Sequence, residues 1–189
     1  GHLGAHQHLA GTFRRMGLPE EAMRADEAYR NFREAGKRNQ DSLKYRELAV
    51  QAYNSEKYPE ALAAFREIVA VAPEDSQAVA YLGSTHLALG NRPEAFRFLE
   101  QALRLDPRNA FAQLEMGRYL ALEGDLQGAE ASFLRAIDIN ADFTLPHYFL
   151  AGLYRSLNRI AESDREFAEF QRLEKRSSES SLPDQKEYW

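Results

Sequence analysis

Apolar residues fall at helical spacing over most of the chain. Val79, Leu82, Gly83, His86 and Leu87 recur three and four places apart, and so do Ala95, Phe98, Leu99, Ala102 and Leu105. Between these two stretches lies Leu89-Gly90-Asn91-Arg92-Pro93. Gly90 suits the left-handed residue that ends a helix, and Pro93 suits the first turn of the next. Asp106-Pro107-Arg108-Asn109 then breaks the second helix. Nothing alternates with period two over a useful length, so strands are not expected.

The pattern repeats every 34 residues. Pro73 and Pro107 stand at that separation. So do four longer ladders: Ala61, Ala95, Ala129 and Ser163; Leu48, Leu82, Met116 and Leu150; Ala49, Gly83, Gly117 and Ala151; Phe65, Leu99, Phe133 and Phe167. Pro59 and Gly124 repeat the start and stop signals in neighbouring periods. Four full periods result, 42–75, 76–109, 110–143 and 144–177, each a helix pair. Ala or Gly at positions 49, 83, 117 and 151 lets the two helices approach closely, with Leu82 and Phe133 filling the space between. One helix pair cannot bury both its faces, so neighbouring pairs must stack. An all-α antiparallel helix-pair solenoid is predicted.

These residues resemble the tetratricopeptide repeat (TPR) family. Its pattern of a large residue, Leu-Gly, Tyr, then Ala, a large residue, Ala and Pro is filled by Val79, Leu82-Gly83, His86, Ala95, Leu99, Ala102 and Pro107. The resemblance covers 42–177 fully and 3–36 more weakly, and it implies a right-handed superhelix. Lys175 and Ala141 stand where Pro is usual, and Ser163 where Ala is usual.

The ends depart from the period. His6, Leu9, Ala10, Gly11 and Arg14 match His147, Leu150, Ala151, Gly152 and Arg155 at an offset of 141, five more than four periods. The extra residues are assigned to 37–41, and 1–36 is expected to be an array-ending helix pair. Tyr29 and Phe170 replace the small residue found at Ala102 and Ala136, which should hinder stacking of a further repeat. Two arrangements stay open: residues 1–36 close one array while 42–177 form a second, in a piece of a longer protein, or one array has an irregular junction. Residues 178–189 read as a polar tail, with Leu182, Tyr188 and Trp189 as anchors for docking or self-association.

Composition and charge narrow the chemistry. With 24 Lys+Arg against 29 Asp+Glu the net charge is −5, which argues against a general nucleic-acid binder. No apolar run is long enough to span a membrane. Cysteine is absent, removing disulfides and thiolate metal sites, while cytoplasmic and periplasmic locations stay equally open. His2, His6 and His8 raise a metal site, but His6 shares its repeat position with His147, which points to packing. His86 stands where the family has Tyr and reads as a core residue. Acidic pairs such as Glu74-Asp75 sit at helix starts, where the dipole favours them. No phosphate loop, nucleophile elbow or zinc motif occurs. No cofactor, metal site or catalytic constellation is expected.

The resemblance implies that the first helix of each pair lines a concave surface that binds a protein or peptide partner. The positions facing it include Arg46, Val50, Tyr53 and Asn54 in the first full repeat; Gln77, Tyr81 and Ser84 in the second; Phe111, Glu115 and Arg118 in the third; and Tyr148, Phe149 and Arg155 in the last. Family members that bind heat-shock chaperones clamp a terminal carboxylate with Lys and Asn. Here Arg46 and Val50 fill two of those places and Tyr81 stands where Asn is required, so that activity is not expected. Rings mixed with arginines suit an extended peptide or amphipathic helix with apolar anchors and acidic groups. The same rings could instead pack between neighbouring first helices. The expected function is a non-enzymatic scaffold or adaptor; the alternative is the substrate-recruiting segment of a larger enzyme or assembly.

Overall fold

The computed structural model describes residues 46–180 together with Glu20 and Met23. The expectations for residues 1–36, the 37–41 junction and the anchors of the tail lie outside the described residues. Backbone contacts divide the chain into Gly1–Val50 and Gln51–Trp189. In the first unit, residues 46–50 are helical.

In the second unit, residues 51–54 are helical and are followed by α1 (Tyr58–Val71), α2 (Ser76–Ala88), α3 (Arg92–Leu105), α4 (Ala110–Glu123), α5 (Leu126–Ile139), α6 (Thr144–Ser156) and α7 (Ile160–Ser180). Only helices and turns occur among the described residues. The start signals are used as the sequence predicts: Pro59 and Pro93 occupy the first turns of α1 and α3. Side chains cap the first helices. Asp75 accepts from the Ala78 amide at 3.1 Å and Asn109 from the Ala112 amide at 2.8 Å. Asn109 also donates to Ser76 Oγ at 2.8 Å, and Ser76 donates to the Ala102 carbonyl at 3.1 Å, pinning one repeat to the next. Residues 178–180 continue α7, so this helix runs past the end of the fourth period.

The turns share one geometry. Glu56, Gly90, Gly124 and Asn158 have φ of 58°, 77°, 86° and 60°, and they stand one period apart. Each closes the turn inside a helix pair. Glycine takes this left-handed conformation without steric cost; Glu56 and Asn158 do not.

Within each pair the helices meet at small residues. A Cβ on Gly83 would lie 2.9 Å from Leu99 Cγ, and one on Gly117 would lie 2.6 Å from the Phe133 ring. Phe133 and Leu99 are buried at these contacts. First helices pack on one another (α2 on α4, α4 on α6) as well as on their own partners. The first helices therefore form the inner layer of the stack and α3, α5 and α7 the outer one. The core is continuous: Leu114, Phe133, Leu150 and Tyr154 join the third repeat to the last, and Val79, Ala80, Ala102 and Ala112 join the second to the third.

Two substitutions test this geometry in opposite directions. Gly117→Ala should lower stability by about 1–3 kcal/mol through overpacking against Phe133, although alanine is the better helix former by about 1 kcal/mol. Glu56→Gly relieves a left-handed residue at a cost of about 1–2 kcal/mol, partly offset by the freer unfolded chain, so stability should rise by up to about 1 kcal/mol. Urea unfolding reads both. An unchanged midpoint for Gly117→Ala would show that the close approach is not rigid.

Candidate functional site

The inner face of the second unit holds two different surfaces. The first is closed. Tyr81 on α2 stacks on Phe65 at 4.9 Å, with the planes within 3°, and meets Phe111 on α4 at 4.4 Å. Tyr53 packs edge-on to Tyr81 at 5.4 Å. These rings bridge consecutive repeats, so much of their area is buried inside the protein. Burial pushes the hydroxyl pKa of both Tyr53 and Tyr81 up.

A polar chain runs alongside the rings. Ser84 donates to Glu115 Oε2 at 2.7 Å, so the Tyr53 hydroxyl, 2.6 Å from Ser84 Oγ, is the donor to Ser84. Arg118 Nη1 donates to both Glu115 oxygens at 2.9 and 2.8 Å. Tyr53, Ser84 and Glu115 are each 31 residues apart, three short of the period. That offset moves the contact back one helical turn per repeat and lays the chain diagonally over three first helices. Glu115 is only 2% exposed. Ser84 and Arg118 satisfy this buried carboxylate with three hydrogen bonds. Burial works against charge on Arg118, but Glu115 outweighs it and holds the guanidinium pKa above its ordinary value.

The second surface is open. A groove of about 710 Å3 lies at the turn end of the last two repeats. Arg118, Ala121 and Leu122 of α4 line one side, Leu126 and Phe133 of α5 the floor, Tyr148, Phe149, Gly152 and Arg155 of α6 the middle, and Asp164 and Phe167 of α7 the far side. Its apolar walls reach solvent: Leu122 is 55% exposed, Tyr148 50% and Phe167 44%. Phe167 ends the ladder whose earlier members Phe65, Leu99 and Phe133 are all buried. At Gly152 an added Cβ would meet nothing within 4 Å, unlike at Gly83 and Gly117. Arg118 reaches over the Phe149 ring at 5.1 Å, and Phe149 stacks on Phe133 at 5.8 Å. A shallower depression of about 680 Å3 takes in Gln77, Tyr81 and Phe111 at the loop edge.

The residues singled out in the sequence thus divide. Arg118, Tyr148, Phe149 and Arg155 come together in the groove. Tyr53, Ser84 and Glu115 form the polar chain, and Tyr81 and Phe111 the ring column. Asn54 is exposed and outside both, while Arg46 and Val50 belong to the other unit. His86 is buried against Phe98 at 5.4 Å, and burial pulls its pKa down, as suits a core residue. His147 is buried with Nδ1 at 2.7 Å from Glu166. Sequence reasoning did not pick out Asp164, Phe167 or Leu126, which come from second helices. The available signal was a mid-helix glycine, Gly152, with no turn or close contact to require it.

Comparison with known proteins agrees with this architecture. A tetratricopeptide repeat family model matches residues 46–110 and 82–142, which together take in more than half of the chain. The chain belongs to the tetratricopeptide repeat family. Among solved structures it is similar to TTC0263, a thermophilic TPR protein of Thermus thermophilus, at 23% identity and TM-score 0.65 over 96% of this chain and 100% of that one. It is also similar to PilW, a type IV pilus biogenesis factor, at 19% identity and TM-score 0.62 over 92% and 78%. The first TPR of Spaghetti (RPAP3), bound to the HSP90 peptide SRMEEVD, aligns at 17% identity and TM-score 0.55 over 63% and 94%. At these identities the likeness establishes the fold. No curated protein matches the sequence. No helix among the described residues is long and apolar enough to cross a membrane.

Two predictions follow the electrostatics. Arg118→Leu strands a buried carboxylate and should cost about 3 kcal/mol, the low end for a broken buried pair because Arg118 itself is a third exposed. Adding Glu115→Gln should recover most of that loss; a fully additive double variant would refute the coupling. Separately, hydrogen bonds from Arg159 hold Glu130 and Glu162 below their ordinary pKa of 4.5. A lowered carboxylate pKa stabilises the fold above the ordinary value and loses that effect as pH falls through the lowered one. The melting temperature should therefore drop below about pH 4.5, and Arg159→Gln should flatten that drop in a melt-versus-pH series.

Proposed function

We infer a function from the family: the tetratricopeptide repeat fold is a scaffold for protein–protein interaction, and repeats of this kind are in general non-enzymatic. We propose that this chain acts without chemistry of its own, holding a peptide or amphipathic helix of a protein partner on its inner face. Contact is concentrated in the groove at the last two repeats. The observation that carries this reading is the exposure of Leu122, Tyr148 and Phe167 around a depression of about 710 Å3. Ligand sites commonly have that size and an apolar lining. Clustered apolar exposure rimmed by charge is a mark of binding surfaces, whereas single exposed leucines are ordinary. The column through Tyr81 and the Glu115 chain supplies rigidity to the same face, which reduces the ordering cost of binding. The substrate-recruiting segment of a larger enzyme would use the same surface in the same way.

A photo-crosslinking residue in place of Tyr148 tests the location. It should give one discrete crosslinked protein in cells, and the band should vanish when Gly152→Trp fills the groove. The same residue in place of Arg104, on the outer helix α3, should give none. Equal labelling from both sites, or a band indifferent to Gly152→Trp, would overturn the assignment.

A further inference from the structure

The groove is specific enough in its chemistry to say what kind of side chains it takes. Three observations bear on this. The first is the space at Gly152. Tyr148, Gly152 and Arg155 stand at i, i+4 and i+7 on α6, on the face that lines the groove. The middle one has no side chain, and a Cβ there would touch nothing. The gap sits between a ring and a guanidinium along α6, in the groove that Leu122 and Phe167 also line. Glycine inside a helix costs about 1 kcal/mol relative to alanine, and no close contact or turn at this position explains it.

The second is which charge is available. Arg118 lines the groove, but Glu115 already takes its hydrogen bonds and neutralises it. Arg155 is exposed and forms no ion pair among the described residues. Asp164, on α7, is likewise exposed and without an ion pair among the described residues. The third is their placement: the free cation lines the groove from α6 and the free anion from α7. Opposite charges on two walls give an occupant a direction.

We propose that the groove is a subsite for one bulky apolar side chain, seated over Gly152, in a partner segment that turns a carboxylate toward Arg155 and a cation toward Asp164. This rests on the reading that the inner face binds a protein segment. The apolar side chain supplies affinity by burial against Leu122, Tyr148 and Phe167, whose surfaces reach solvent. The two rim charges supply orientation and modest energy, since they remain solvated. Gly152 is then the residue that sets specificity: every larger residue at this position occupies the space the ligand needs.

Selection of displayed random twelve-residue peptides on the intact chain tests this without knowing the natural partner. Enriched peptides should share a Phe, Leu, Met or Trp with an acidic residue on one side and a basic residue on the other. A synthetic copy of the leading peptide should bind Gly152→Trp at least about 30-fold more weakly, as expected when an anchor residue loses its pocket. The variant should melt no lower than the native chain, because the added atoms enter open space. Arg155→Glu and Asp164→Arg should each weaken binding about fivefold. The double swap should instead prefer the peptide with its two charges exchanged. Enriched peptides that bind Gly152→Trp normally but lose affinity on Gln77→Ala or Asn54→Ala would overturn the subsite and keep the inner-face reading. No enrichment over a scrambled library would overturn both. Self-association of the native chain that Gly152→Trp abolishes would make the occupant a second copy, and it would overturn the proposed partner chemistry.

Discussion

Everything in the repeat array depends on how close two antiparallel helices can come. At Gly117 the ring of Phe133 occupies the volume where a side chain would begin, and Leu99 does the same at Gly83. A large residue on the second helix thus packs directly on the backbone of the first. That interlock fixes the height of one helix against the other, and with it the turn that must join them. The turn leaves one residue in the left-handed region, which is why Glu56 and Asn158 adopt it where glycine does so easily at Gly90 and Gly124. Closeness within the pair also decides what each pair leaves bare. The face of the first helix that does not meet its partner is left to meet the next first helix or solvent.

Those two fates share out the inner face. Across the first three repeats, Phe65, Tyr81 and Phe111 touch in sequence, and the Tyr53–Ser84–Glu115–Arg118 chain uses up the polar groups beside them. A partner that displaced these contacts would have to compensate a buried carboxylate and a ring stack, which costs several kcal/mol. At the last repeat the same positions carry Phe149, Gly152 and Arg155, and no such chain forms among them. The inner face is accordingly closed over one half and open to solvent over the other. Rigidity in the first half holds Arg118 over Phe149, so the closed surface forms one wall of the open one.

Much of this was legible in the sequence, for a physical reason. Helix-pair packing needs small residues opposite large ones at a fixed height, and that requirement repeats every 34 residues, so it is written four times over. The helix limits around Gly90, Pro93 and Asp106 follow from local backbone chemistry and needed no partner contacts to find. The inner face was legible only as a set of positions. Whether Tyr81 faces solvent or stacks on Phe65 depends on the residue one repeat away, and a single helix does not encode that. Glu115 shows the limit most clearly. In sequence it is one more position on the expected inner face; its burial comes with Ser84 and Arg118, which converge on it from two helices. Asp164 and Phe167 stand on second helices, which the family pattern does not place on the inner face, and Phe167 belongs to a ladder of packing residues. Phe167 departs from its ladder in being 44% exposed where Phe65, Leu99 and Phe133 are buried.

The two glycines Gly117 and Gly152 show why residue type alone does not reveal function. Both lie inside first helices, one period and one residue apart, and both weaken the helix they sit in by about 1 kcal/mol. At Gly117 the cost is offset by Phe133, whose ring fills the missing volume. At Gly152 nothing fills it. An interior glycine whose space is taken serves the fold; the one whose space stays empty, among exposed rings and beside a free cation, is what the proposed partner subsite rests on. The difference of one place in the repeat turns the glycine from the partner helix toward the inner face. A solenoid can in this way open a groove without altering its period, its turns or the interlock that holds each pair together.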